Sequence, residues 1–467
     1  MSKSFPEDPF LRGNFAPVQI EGDGHNLPII GEIPADLNGS LYRNGPNPQF
    51  SPRDSYHWFT GDGMVHAFHI EDGKADYRNR WVQTPRWKLE HAAGENLFGA
   101  FGNPLTSDPS VVGKDGGVAN TNIFWHGNRL LALEEGHAPT EIDPVTLETK
   151  GYYDFQGNPV ERVTAHPKID PETGEMVFFA YMVGGWFSKT VGYYVADASG
   201  KLTRRDEFEA PYSSMIHDFM VTRNYALFPI LPLSGSMERA MAGQAAFAWE
   251  PDLGGHIGVL KRNATIEEMR WFEVDPCYVF HPMNSFEEGN LIHADVLKYD
   301  VAPLFPNADG SPIDPHKTHA RLVRWTIDLT GDSNRIKETQ LDDLSGEFPR
   351  FDERFAGLGY RHGWYAYSDN DEFRGSFAGI ACFDFETKKR ETYLMPGSDA
   401  IGEPVFVPRT ADAPEGDGWI LAVAYRPSDG RSDLLIFDAM NVGDGPIAEV
   451  QLSSRVPFGF HGNWRQL

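Results

Sequence analysis

Four of the sixteen histidines share a local context: Ala165-His166-Pro167, Ile216-His217-Asp218, Phe280-His281-Pro282 and Phe460-His461-Gly462. Each follows an apolar residue at the edge of a strand-like run, so a strand end would present the imidazole. Neutral imidazole is a ligand for Fe, Cu, Ni or Zn. The only thiols are Cys277 and Cys382, too few for a CxxC zinc pair or a disulfide framework, and they read as two buried thiols. An all-nitrogen set suits a redox-active iron, although composition alone leaves the metal open. A histidine metal site also needs carboxylates to hold the second nitrogen of each ring. Glu135, Glu347 and Glu403 all lie beside strand-like runs. With 67 acidic residues such neighbours arise by chance, so the glutamates carry no weight alone. Nucleophile elbows, phosphate-binding loops and dinucleotide fingerprints are absent from the sequence.

The elements that must position these histidines are short strands. Gly (47) and Pro (34) are abundant enough to exclude a helical bundle, and they supply turns instead. Asp-containing turns recur between short apolar runs at Asp143, Asp170, Asp197, Asp328, Asp384 and Asp438. Asp143 to Asp170 and Asp170 to Asp197 are both 27 residues, and Asp384 to Asp438 is 54. Two hairpins in about 50 residues match one β-propeller blade. The length of 467 residues leaves room for seven blades plus insertions. The histidine gaps of 51, 64 and 180 residues then read as one, one and three blades, which would bring one histidine per blade toward a common axis. A two-domain β-sandwich is the competing architecture. Two stretches depart from the strand pattern. The Ser-capped, Ala/Met-rich run from Ser236 to Phe247 predicts a short helix, and His91 to Gly99 is a second candidate. With no linker or low-complexity segment, residues 1–467 read as one domain with helical insertions near 88–110 and 232–248.

The formal charge of −26 opposes nucleic-acid phosphate and anionic membrane surfaces, so the expected partner is a small apolar molecule rather than a nucleic acid. No window reaches the apolar length of a transmembrane segment, and the first residues lack the apolar stretch of a secretory leader. A cytoplasmic protein is expected, and a homo-oligomer is compatible with the sequence.

At the histidine motifs the sequence resembles the carotenoid cleavage oxygenase family, in its bacterial lignostilbene dioxygenase and isoeugenol monooxygenase branch. The matching segments run nearly end to end. They include Gly39-Ser-Leu-Tyr-Arg-Asn-Gly-Pro-Asn-Pro, Phe59-Thr-Gly-Asp-Gly-Met-Val-His, Ala165-His-Pro-Lys-Ile-Asp-Pro-Glu-Thr-Gly-Glu and Met215-Ile-His-Asp-Phe. Phe280-His-Pro-Met-Asn, Glu347-Phe-Pro-Arg, Gly402-Glu-Pro-Val-Phe-Val-Pro-Arg and Phe460-His-Gly complete them. The resemblance implies an all-β, seven-bladed β-propeller with a short helical dome over one face. It implies a non-haem Fe(II) held by His166, His217, His281 and His461, with O2 as co-substrate and no organic cofactor. It pairs Glu135 with His217, Glu347 with His281 and Glu403 with His461, and gives His166 no carboxylate partner. The implied reaction cleaves an alkene C=C of a stilbene or phenylpropene-type substrate into aldehydes. Cleavage of an apocarotenoid is the alternative, and a non-catalytic propeller scaffold the remote one. Stilbene-cleaving relatives grip a para-hydroxyl with a Tyr and a Lys beside a Phe. Phe59 matches, but those polar positions read Phe101 and Glu134, which with Phe59 are the substrate-contact candidates; a glutamate would repel a phenolate, though it could accept a hydrogen bond from a neutral phenol.

Overall fold

A computed structural model describes residues 4–369 and 377–467; residues 1–3, part of the start read for a leader, lie outside it. The Asp turns form where the sequence places them. The Asp143 carboxylate accepts from the backbone N–H groups of Val145 and Thr146, and Asp170 from those of Glu172 and Thr173. Asp197, Asp328, Asp384 and Asp438 likewise accept from the N–H two residues on. Five of the six, all but Asp170, follow the third strand of a sheet and turn the backbone into the fourth. The 54-residue spacing is therefore a sheet repeat, with Asp170 turning the first strand of its sheet into the second.

The described residues fall into two compact units. One comprises residues 4–163, 377–382 and 391–467. It contains a five-stranded sheet whose order runs Gly22–Gly24, Lys74–Trp81, Gly63–Glu71, Gly39–Pro46 and Gly462–Gln466. The final strand of the sequence thus pairs with an early one, with Arg43 opposite Gly462 and Gly39 opposite Gln466. That closure fixes the backbone of His461, whose carbonyl accepts from Asn44 N–H. The strands between Asn122 and Tyr152 form a second sheet, and those between Ala400 and Gln451, joined by Ile29–Gly31, a third. Their inward residues (Trp419, Leu421, Leu434, Ile436, Phe68) are essentially buried. Burying each such group contributes about 1.5–3 kcal/mol.

The other unit comprises residues 164–369 and 383–390. Three four-stranded antiparallel meanders follow one another in sequence, opened by Lys168–Ile169, Met220–Val221 and Tyr278–Glu288. Gly346–Phe351 then pairs antiparallel with His362–Tyr367. Fourth strands such as Lys337–Gln340 and Lys389–Leu394 are exposed and charged, which protects sheet edges from further pairing.

Helix is scarce and differs from expectation in its bounds. One helix is Pro85–Ala93, starting earlier than the His91 candidate because Thr84 caps it and Pro85 occupies its first turn; it ends where Gly94 takes φ 71°. Residues 94–111 hold only turns and two 3-10 turns, Pro104–Thr106 and Pro109–Val111. The Ser236 cap is present, but its helix is only Met237–Met241 and stops before Gly243 at φ 71°. Phe247, placed at the end of the predicted helix, instead begins the strand Phe247–Trp249, paired with Leu233–Gly235. Among the described residues no helix is long and apolar enough to cross a membrane.

Candidate metal centre

Three of the four histidines belong to one unit and stand at the opening strand of successive sheets. His166 precedes Lys168–Ile169, His217 precedes Met220–Val221, and His281 lies within Tyr278–Glu288. The ladder around His281 is irregular, with register shifts between Val279 and Pro282 and between Pro282 and Asn284. Such bulges re-aim a side chain, here toward the other two rings. His166 Nε2 and His217 Nε2 are 3.1 Å apart, and His217 Nε2 and His281 Nε2 are also 3.1 Å apart. All three side chains are buried. Phe280 packs edge-on to His217 at 5.2 Å, and Phe348 stacks on His281 at 5.4 Å.

The protonation pattern follows from the outer nitrogens. His281 Nδ1 lies 2.5 Å from Glu347 Oε2, which also accepts from Phe348 N–H at 2.7 Å. An ionised carboxylate only accepts, so Nδ1 carries the proton and Nε2 presents a lone pair. With every ring presenting its Nε2 lone pair, lone pairs facing one another across 3.1 Å would repel, and a cation between them would remove the conflict. The donor set therefore fits a metal ion. Glu347 sits at a register shift, followed by Phe348 at φ 53°, a left-handed conformation that costs about 1–3 kcal/mol for a bulky residue and is tolerated where packing enforces it.

His461, in the other unit, has the same signature. Its Nδ1 is 2.9 Å from Glu403 Oε1, while Glu403 Oε2 accepts from Gly462 N–H at 2.7 Å. Both side chains are buried, so this ring too is locked with Nε2 available. Glu135 stands half-buried in the bend after Arg129–Leu133. His166, His217 and His281 form a buried group of the kind that holds a metal ion.

The three residues expected at the substrate fare differently. Phe59 and Phe101 meet edge-to-face at 5.8 Å, and Phe59 also packs edge-on to Phe460, the neighbour of His461, at 5.6 Å. His57 completes this aromatic cluster, stacked on Phe101 at 4.7 Å; a lone histidine beside Trp58 gives no sign of it in the sequence. Glu134 Oε1 accepts from the backbone N–H groups of Val118 at 2.7 Å and Ala119 at 3.1 Å, and lies 3.1 Å from His137 Nδ1. Burial works against its ionisation, but the His137 charge and the two backbone donors outweigh it, so the carboxyl is held below its ordinary range. Burial likewise opposes the charge on His137, while Glu134 and Asp115 raise its pKa. Tyr152 donates to Asp115 at 3.0 Å. Gly117 permits this packing, since a Cβ there would fall 2.7 Å from the Tyr152 hydroxyl and 2.9 Å from Glu134. The i,i+3 spacing of Glu134 and His137 is the available sequence signal for this pair.

One neighbour of the cluster has no counterpart in the sequence reading. Asp218 Oδ2 lies 3.7 Å from His166 Nδ1, although the resemblance gives His166 no carboxylate partner.

The sequence matches the retinal pigment epithelial membrane protein (RPE65) family over residues 15–466. It is 42% identical to isoeugenol monooxygenase of Pseudomonas putida, over 98% of both proteins. It is 41% identical to lignostilbene-alpha,beta-dioxygenase isozyme III of Sphingomonas paucimobilis, over 98% of this protein and 97% of that one. The crystal structure of Pseudomonas brassicacearum lignostilbene dioxygenase superposes with a TM-score of 0.96, at 34% identity and with both proteins fully covered. The sheets described above are thus the blades of a seven-bladed β-propeller with very little helix.

Proposed function

The chain belongs to the RPE65 family of carotenoid-cleaving and related oxygenases, and from that premise we propose that it cleaves the exocyclic C=C of a small aryl alkene with O2. The observation that carries the reading is the set of buried imidazoles with Nε2 atoms 3.1 Å apart, backed by a carboxylate on Nδ1. We assign His166, His217, His281 and His461 as ligands of Fe(II), with Glu347 and Glu403 holding two of the rings and Glu135 holding His217. Bound iron(II) supplies the redox capacity toward O2 that no side chain has. The protein's own residues do the rest. The glutamates keep the rings from rotating, the buried aromatic wall excludes water, and Phe59 with Phe101 offers faces and edges for an aryl ring. The atoms balance without an organic cofactor: one alkene and one O2 give two carbonyl compounds.

The named substrates of the relatives, isoeugenol and lignostilbene, motivate the substrate class. A second reading, cleavage of an apocarotenoid, is favoured by one observation: the Phe59–Phe101 pair carries no hydroxyl to grip a phenol. Iron-loaded protein incubated aerobically with isoeugenol, 4-vinylguaiacol and resveratrol is expected to release aryl aldehydes. Turnover of an apocarotenal with no aldehyde from that panel would transfer the assignment to the second reading. A cytoplasmic site of action belongs to the same proposal, supported by a composition with only two cysteines.

A further inference from the structure

The carboxylate beside His166 is itself held in place. Lys168 Nζ bridges both Asp218 oxygens, at 2.8 Å from Oδ1 and 3.0 Å from Oδ2, and Asp218 Oδ1 also accepts from Phe219 N–H at 2.6 Å. The Asp218 side chain is 3% exposed, whereas that of Lys168 is 28% exposed. Lys168 lines a solvent-open cleft together with Phe219, Arg223, Pro282 and Leu358. The pair therefore links a partly hydrated cation, a buried carboxylate and one imidazole in series. Asp218 directly follows His217, so one backbone segment both supplies a ring of the cluster and faces the outer nitrogen of the neighbouring ring.

We propose that Lys168 and Asp218 form a positioning unit for His166. The 3.7 Å separation of Asp218 Oδ2 from His166 Nδ1 is too long for a hydrogen bond but close enough for direct charge interaction. A negative charge facing Nδ1 favours the tautomer with the proton there, which leaves the Nε2 lone pair directed at the metal. The role matches that of Glu347 on His281 and Glu403 on His461, where the carboxylate comes from a separate strand or loop. Lys168 holds the Asp218 carboxylate in place through its contacts to both oxygens.

This inference rests on the metal-centre reading, and the test separates the two. Fe(II) affinity is measured by chelator competition, and the visible d–d spectrum is recorded for the Co(II)-loaded protein, in wild type, Asp218→Asn, Lys168→Met, Lys168→Arg and Lys168→Met/Asp218→Asn. Lys150→Met, which removes the same charge at a half-exposed site, is the control. Asp218→Asn and Lys168→Met are each expected to weaken Fe(II) binding about tenfold and to shift the Co(II) bands. Lys168→Arg should restore both to near wild type, and the double variant should be no weaker than Asp218→Asn, because the two residues act as one unit. Wild-type affinity and spectrum in both Asp218→Asn and Lys168→Met would overturn the proposal, as would failure of Lys168→Arg to restore them. Should Asp218→Asn not fold, the Lys168 pair of variants decides alone. Wild-type protein that retains neither iron nor cobalt would refute the metal centre itself.

Discussion

Replacing Glu347 by Gln isolates what a carboxylate contributes behind a metal-binding imidazole. The substitution keeps the side-chain volume and an acceptor for Phe348 N–H, now made at 2.7 Å, but removes the negative charge 2.5 Å from His281 Nδ1. Both groups are buried, so water does not replace the lost interaction. A charge-assisted hydrogen bond contributes about 1.5–3 kcal/mol, roughly double its neutral counterpart, so the exchange costs about 1–2 kcal/mol of ring orientation and ligand basicity. At about 1.4 kcal/mol per factor of ten, Fe(II) affinity should fall about 5–30-fold, overlapping the roughly 10–100-fold losses seen when outer partners of metal-bound histidines are altered. Chelator competition with metal analysis of the retained iron measures this directly, and thermal unfolding of the metal-free protein controls for folding. Unchanged affinity in Glu347→Gln, with wild-type stability of the metal-free form, would refute the argument that the Nδ1 contact orients His281.

Further outcomes follow from other parts of the structure. Folded-state interactions raise the pKa of His137 and lower that of Glu134. The His137 contribution is therefore complete below its unfolded value near 6.5 and is lost as pH rises through its folded value, whereas that of Glu134 is present above about 4.5 and lost as pH falls through its folded value. The Tm deficit of His137→Asn relative to wild type should accordingly be larger at pH 6 than at pH 9, and a deficit that grows with pH would contradict the assignment. Arg426 binds Asp433, Asp399 and Glu449, and Asp433 is fully buried. Arg426→Met should cost about 1–3 kcal/mol in denaturant unfolding, because it removes one of the two arginines paired with buried Asp433. Phe101→Tyr restores a hydroxyl at the aromatic cluster and should raise kcat/KM for a 4-hydroxystilbene over its methyl ether about fivefold, the equivalent of one neutral hydrogen bond.

Much of this architecture is legible because it is written in local chemistry. The Asp turns depend on a carboxylate bonding the backbone two residues on, an interaction short enough to read from Asp328-Leu-Thr-Gly or Asp384-Phe-Glu-Thr alone. Three of the histidines are legible because each stands at the opening of a sheet, so their spacing carries the blade repeat. Helix bounds are less accessible. Ser236 announces a cap, but pairing of Phe247–Trp249 with Leu233–Gly235 overrides the helical propensity of the Ala-rich run after Gly243. The contacts of Glu134 are not local: its Oε1 accepts from the Val118 and Ala119 backbone, sixteen and fifteen residues away. Asp218 is hidden for a related reason: its partners, His166 and Lys168, lie about fifty residues earlier and meet it only through the sheet repeat.

The central claim is that the histidine group holds iron in order to split an aryl alkene. The most direct measurement is simultaneous O2 uptake and aldehyde release from isoeugenol, comparing iron-loaded wild type with His281→Ala. Uptake matched by aldehyde in wild type, with both lost along with bound iron in the variant, is the predicted result. Iron-loaded wild type that consumes no O2 and releases no aldehyde from any aryl alkene or apocarotenal, or a His281→Ala protein that retains full iron and activity, would contradict it.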